Sequence, residues 1–525
     1  MRRHVSPAAI AAAAVICAGT VVLISVQLIV RSGPLRARVS AAAADALGRP
    51  LEIQSMRLTW LPQPALRLYG VRTSEARQGS PSIAVDELAV VPRLRRLLAG
   101  HIEVDEIVVR HPQVAITGDA GGGGSVADPR VAADAANGPP LGEPLAALEG
   151  ARVRVENGSV GYIRQQADGR RFENRLENMT LNAVVGSTLT VAGEADVRPG
   201  NVKVTISDGR VQLEAGAIGD APITGRVEVS GTDVGDLLAT WIPAPKIGGT
   251  LNATLALGGT LGEPRVSGPL RASALTLTRT DAECAAPHER TLTLPSVNAD
   301  TVWRSNRFTG EPTTLRIGEG TATAMLEVSF GGPLAVHMSD IVVTALPLEA
   351  LLVDFLCAGY ALTGPLELTG SLTLGAPSVR DSLSGFGQFH IGTGKVVGPH
   401  ALALLGAVAR VGGAVSALLS ADLPWSLFSS PLDFDSVTAS YQIANGVVRI
   451  RDLEYDSWAM KITGSGEYAL RTKQLNLQMT VNHGRGEVHA TVSGPADSPS
   501  VHVTPTTIFR EVDPRKLWAL TNPFR

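Results

Sequence analysis

Along most of the chain apolar and polar residues alternate with a period of two. Val202, Val204 and Ile206 are separated by Lys203 and Thr205, and Leu251, Ala253, Leu255 and Leu257 are separated by Asn252, Thr254 and Ala256. The same phase returns at Val227 and Val229, at Leu366 and Leu368, at Leu475, Leu477, Met479 and Val481, and at Val488, Ala490 and Val492. Successive side chains of a strand point to opposite faces, so this spacing predicts strands with one apolar and one wet face. Parallel sheets are buried on both faces and read as unbroken apolar runs, so the alternation predicts long antiparallel sheet. The fold class expected is mainly β: a long, antiparallel, bent or groove-shaped repetitive sheet with a few short helices. Its apolar phase supplies the candidate lining residues Val202, Val204, Ile206, Leu251, Leu255, Leu257, Leu366, Leu368, Leu475, Leu477 and Met479.

The pattern also divides the chain. Leu35 to Leu47 reads as a short Ala-rich helix stopped by Gly48 and Pro50. Strands then begin at Leu51 and Ile53 and at Leu66 and Leu68, and a further strand around Ile102, Val104, Ile107 and Val109 is expected to end at Pro112. Residues 119–145, with Gly121 to Gly124 and the Gly138, Pro139, Pro140 cluster, read as a flexible linker. The divisions expected are an anchor over 1–34, a helix and β region over 35–118, the linker, a repetitive β body over 146–380 and a C-terminal β region over 381–525. Two segments, Asp233 to Leu277 and Leu346 to Ile391, share one order of parts. Each has an apolar helical stretch, a Gly-containing turn, an alternating strand, a Gly and Pro turn and another strand. Such repetition favours an extended array whose units bury their faces against neighbours.

Ala8 to Val30 contains no charged residue in 23 positions, enough helix to cross a hydrocarbon core of about 30 Å. Arg31, Arg36 and Arg38 follow it directly, where a signal peptide would carry a small-residue cleavage site, so an uncleaved anchor is expected. Its N-terminus is placed inside and the body outside, because long domains translocate largely regardless of flanking charge. Ala401 to Leu419 is nearly all apolar but carries Arg410 at its centre, which costs roughly 2.5 to 3.5 kcal/mol in a lone span. It is expected to be a helix covering the sheet, with a second span as the alternative. Phe509 to Arg525 reads as an amphipathic contact helix or a docked tail.

Composition agrees with this picture. Hydrophobic residues make up 44% and charged residues 18%, which places the chain outside the disordered range, and only 4% is aromatic. Residues 1–111 hold 14 Arg, no Lys and 8 acidic residues, a net of +6 that leaves −9 for the remainder of a chain of net charge −3. A basic root and an acidic body suit attachment to an anionic membrane, and the overall balance argues against nucleic acid as a partner. Cys17 lies in the apolar stretch, leaving Cys284 and Cys357 either bridged, as an oxidising compartment permits, or as two buried thiols.

Catalytic signatures fail on inspection. The stretch around Gly394 and Lys395 has Phe389 and Val396 where a phosphate loop requires Gly and Ser or Thr, and it reads as a turn. Ser159 and Ser465 lack the first glycine of a nucleophile elbow. His483 and His489 share a strand phase without a third ligand, and Asp433 and Asp435 read as solvated strand carboxylates. No enzyme activity, metal or cofactor is therefore expected. An envelope hydrolase or sugar-binding β protein is disfavoured, since aromatic platforms and paired acidic sites are scarce.

The chain resembles the AsmA family of bacterial envelope proteins. The resemblance is carried by the N-terminal span, by Leu47-Gly48-Arg49-Pro50-Leu51-Glu52-Ile53, by Trp60-Leu61-Pro62 leading to Leu66-Arg67-Leu68, and by Leu97 to Ile102 leading to His111-Pro112-Gln113-Val114. In the C-terminal half, Gly385 to Gly394 and Gly464-Ser465-Gly466-Glu467-Tyr468 are similar to that family's C-terminal region. The resemblance implies an inner-membrane anchor, a periplasmic body, an apolar groove for phospholipid or other acyl-chain lipids, and a role in outer-membrane lipid homeostasis and assembly. It implies no catalytic residue. The alternative is a structural or assembly factor of the envelope that carries no lipid, and the chain is shorter than the largest family members.

Overall fold

The structure is a computed structural model that describes residues 37, 40, 41, 50–60, 63–73, 82–93, 95–96, 103–118, 148–165, 171–213, 218–236, 246–282, 284–329, 334–375, 379–404, 432–458, 460–482 and 487–505. The apolar stretch Ala8 to Val30, the Gly-rich segment 119–145, most of 401–419 and the end from 506 onward lie outside these residues. Among the described residues no helix is long and apolar enough to cross a membrane. The protein is mainly β, as the alternation predicts. Twenty-three strands belong to one sheet, and two short strands form a separate ribbon. Two compact units divide the chain, Met1–Trp241 with Asn252–Gly268 and Ile242–Leu251 with Pro269–Arg525.

The first unit contains β1 (Leu51–Thr59), β2 (Ala65–Thr73), β3 (Ser82–Pro92), β4 (Val104–Gly118), β5 (Arg152–Gln165), β6 (Arg171–Val184), β7 (Thr188–Arg198), β8 (Asn201–Gln212) and β9 (Ile223–Asp233). Each pairs with the next in chain order. Seven of these eight pairings are antiparallel, and β4–β5 is parallel, which departs from the uniformly antiparallel sheet expected. Two strands running the same way need a connection of a dozen or more residues, and the Gly-rich segment between β4 and β5 supplies that length.

Pro112 does not end β4 either. It sits buried at an irregularity where His111 takes a left-handed φ of 47°, and the strand continues to Gly118. His111 and Pro112 have no partner in the ladder to β5, so a proline without an N–H is tolerated there. Similar irregularities with left-handed Asn157, Asn178 and Asp208 interrupt β5, β6 and β8. Short polar side chains suit that conformation, and each such site bends its strand.

Strands β10 (Lys246–Gly259) and β11 (Pro264–Thr280) contribute to both units. The second unit continues with β12 (Glu289–Arg304), β13 (Arg307–Ile317), β14 (Gly320–Ser329), β15 (Ala335–Pro347), β16 (Pro365–Gly375) and β17 (Ser384–Ile391). After the ribbon of β18 (Gly394–Val396) and β19 (Leu432–Phe434) come β20 (Ser436–Ala444), β21 (Val447–Asp456), β22 (Lys461–Ala469), β23 (Gln474–Asn482), β24 (Glu487–Pro495) and β25 (Ser500–Pro505). All pairings from β12 to β25 are antiparallel, and β20 takes its place beside β17. Gly394 to Val396, expected as a turn, is thus a strand. Its partner lies in Leu432–Phe434, too far along the chain for a local pattern to reveal.

Two short helical pieces pack on the apolar face of this unit, a π-helix at Glu349–Phe355 and the turn of helix at 399–404. The second is the described beginning of the 401–419 segment, and Ala401 and Leu404 are buried with Ile391, Val437, Tyr455 and Ile462. Tyr360 fastens this region by donating its hydroxyl hydrogen to the Ala496 carbonyl at 2.6 Å. Cys284 and Cys357 form a disulfide with α-carbons 5.7 Å apart, which decides between the two readings of these thiols.

Candidate functional site

The register of the first unit lines up apolar residues across strands. Met56, Leu68, Leu88, Val109, Val155, Leu181, Gly193, Ile206 and Val227 are paired neighbour to neighbour from β1 to β9. At roughly 4.8 Å per strand this row extends on the order of 40 Å at right angles to the strands. Val204 continues the same face between Ala195 and Val229, and Val202 does so between Val197 and Gly231. None of these side chains is ionisable. Gly193 leaves its place in the row empty because a Cβ there would stand 2.5 Å from the Thr180 carbonyl oxygen.

On the opposite face the same strands carry charge. Glu87 lies between Arg67, whose Nη1 donates at 2.6 Å, and Arg110, whose Nη1 donates at 3.2 Å. Arg110 Nε donates in turn to Glu156 at 3.0 Å, and Arg154 joins Glu106 at 3.0 Å. The hydrogen bond to Glu156 holds the Arg110 guanidinium above its usual pKa, against the opposing effect of desolvation. The unit is therefore two-sided, with an ion-paired outer face and an apolar inner one.

Among the described residues no helix makes an extensive contact with the inner face of the first unit. Among the described residues every extensive contact of β1 to β9 is with a hydrogen-bonded neighbouring strand. Ile53, Met56, Leu68 and Val71, near the unit's beginning, form a buried cluster. Val204, Ile206, Leu255 and Leu257 are half-buried, while Val202 is buried beside Gly231 and Val234.

The second unit has the same kind of face, sealed along one half. Its sealed row runs through Leu346, Leu366, Ile391, Val437, Tyr455, Ile462, Val481 and Val488, on which the two helical pieces sit. Its open row starts at the buried Thr301 and Gly310 and runs through Leu326, Met338, Leu372, Gly385, Ile443, Val448, Tyr468, Leu475 and Gly494, one per strand from β12 to β17 and from β20 to β24. Leu326, Met338, Leu372, Ile443 and Leu475 are half-buried and belong to no buried cluster.

The structure thus puts all eleven candidate residues on the protected phase of their strands, but in different settings. Met479 is buried in the sealed core, and Leu366 and Leu477 pack against it. Leu475 belongs to the open row, while Leu251 and Leu368 are half-buried. Row members such as Val109, Val155, Met338 and Leu372 were missed, although the period-two pattern around them could have found them.

Other polar candidates are placed in ordinary strand surroundings. Asp433 meets Lys395 at 3.4 Å, and His489 shares a hydrogen bond of 2.9 Å with Thr480; His483 lies outside the described residues. Among the described residues no group of three or more His, Cys, Asp or Glu is arranged to hold a metal ion. A face of aliphatic side chains without charge can take hydrocarbon by excluding water, and offers a polar substrate little orientation.

No family model, no curated protein and no solved structure matches the chain.

Proposed function

We propose that this protein is an inner-membrane-anchored, periplasmic, AsmA-like protein that binds or conducts lipids through an apolar β-groove and so supports outer-membrane lipid homeostasis and assembly. One observation carries the reading. A continuous uncharged row crosses nine strands of the first unit, buried at Met56 and Leu68 and half-buried from Val109 onward, where among the described residues no element beyond the neighbouring strands makes an extensive contact. An apolar surface of that extent in water is costly at roughly 25 cal/mol per Å², and acyl chains lying along it would remove the cost. The uncharged Ala8 to Val30 stretch supports attachment to a bilayer, where such lipids are at hand.

The sealed core beneath residues 399–404 favours a second reading for its own region, a structural or assembly role without a ligand. Mass spectrometry of lipids retained by the gently purified full chain separates the two. Phospholipid at near one or more molecules per chain, diminished by Ile206→Asp and Leu372→Asp, is the expected result. Protein that is folded and free of lipid, with an apolar face that also refuses a fluorescent fatty acid, would sink the lipid reading.

A further inference from the structure

The π-helix Glu349–Phe355 covers part of the second unit's apolar face, and its attachment is unusual. Phe355 is buried against Leu292, Leu294, Ile317 and Leu346, with Leu351 packed beside it. The backbone winds loosely, Leu356 N–H donating to Leu351 and Ala358 N–H to Leu352, and such wide turns recur at functional sites. Arg279 lies over the Phe355 ring at 5.9 Å and reaches the Phe355 and Leu356 carbonyls at 3.4 Å each, beyond good hydrogen-bond length. The strong tie is covalent: Cys357, directly after the helix, is bridged to Cys284 in the turn between β11 and β12. Cys357 itself is held at φ 50°, a conformation that L-residues with a Cβ rarely adopt.

We propose that Glu349–Cys357 is a lid over a binding site for one hydrocarbon chain, and that the Cys284–Cys357 disulfide is its latch. The site floor is Leu292, Leu294, Ile317 and Leu346, now filled by Phe355. A dithiol reductant opens the latch. One of its thiolates attacks a sulfur of the bridge, the S–S bond breaks, and the second thiolate resolves the mixed disulfide. Two electrons pass to the protein, two protons complete the Cys284 and Cys357 thiols, and the reductant leaves as a cyclic disulfide. Freed of the bridge, Cys357 can leave its left-handed conformation, and the lid is then held by the packing of Phe355, Leu351 and Leu352 and by two long hydrogen bonds. The occupant named here rests on the lipid reading above, whereas the latch does not.

Hydrogen exchange and binding of a fluorescent polyene fatty acid, each measured on the oxidised and dithiothreitol-treated full chain, test this. Reduction should speed amide exchange at 349–358 at least tenfold while β12 to β16 stay protected, and should add about one equivalent of bound fatty acid. Phe355→Ala should add that equivalent with the bridge intact. Unchanged exchange at 349–358 on reduction overturns the latch. Faster exchange without the added equivalent, in protein that binds the fatty acid elsewhere, overturns the lid. Faster exchange in protein that binds the fatty acid in neither state overturns the occupant because the lipid reading itself has failed.

Discussion

Tyr441 and Gly387 face each other across the β17–β20 pair, and the tyrosine hydroxyl occupies the space a side chain at 387 would need. A Cβ on Gly387 would stand 2.7 Å from that oxygen and 2.1 Å from the Thr369 carbonyl oxygen; one on Gly370, the next strand over, would stand 2.8 Å from the same hydroxyl. The aromatic ring thus covers a gap left by two glycines on the apolar face, as aromatic residues do beside glycine in other sheets. Gly387→Ala should destabilise the second unit by about 1–3 kcal/mol, the usual cost of overpacking. Gly258→Ala, where a Cβ would meet nothing within 4 Å, should be neutral or slightly stabilising. Urea midpoints of the two variants check both expectations.

Leu255 and Thr254 are sequence neighbours on opposite faces of β10, half-buried and exposed respectively. Leu255→Asp should lower the lipid retained by purified protein several-fold, because a lone carboxylate facing hydrocarbon is costly to keep ionised. Thr254→Asp should leave lipid content unchanged. Equal losses on the two faces, read by mass spectrometry, would contradict the assignment of the apolar face.

Glu87 accepts from two arginines and its side chain is 16% exposed, whereas Glu467 accepts from Arg449 at 2.7 Å with half of its side chain in water. Glu87→Ala leaves Arg67 and Arg110 without their shared partner in a partly dry place, and should cost about 2 kcal/mol, between the limits for exposed and buried pairs. Glu467→Ala should cost less than about 1 kcal/mol. Denaturation in low and high salt should shrink the second loss more than the first, since screening acts mainly on exposed charge.

Burial pushes the Tyr455 hydroxyl above its usual value of 10.0, a hydrogen bond with Ser457 partly offsetting it. A folded-state value above the unfolded one means the neutral phenol is preferred in the fold. Its contribution is complete below pH 10 and is lost as pH rises through the folded value. The protein should therefore lose stability above about pH 10, and Tyr455→Phe should flatten that fall when melting temperature is followed from pH 8 to pH 11.5. Tyr360 and Tyr441 are raised by burial in the same direction, so part of the fall should remain.

The alternation of residues such as Val202, Val204 and Ile206 was enough to fix strand, face and the apolar character of one side, because side-chain direction in a strand depends only on parity along the chain. It could not say which strands neighbour which. Asn157-Gly158 and Asp208-Gly209 look like the hairpin turn at Asn445-Gly446, yet only the last joins two strands, β20 and β21. The first two are irregularities inside β5 and β8, where pairing with flanking strands overrides the local preference. The parallel β4–β5 pair, the strand at Gly394–Val396 and the Cys284–Cys357 bridge share that origin. Each depends on a partner 36 or more residues away, and no local pattern encodes a distant neighbour. Tertiary structure alone also separated the sealed row from the open one. Leu366 and Leu372 have the same parity, the same chemistry and the same partial burial, and only the clusters that hold the helical pieces make Leu366 pack against the core and leave Leu372 at the candidate site.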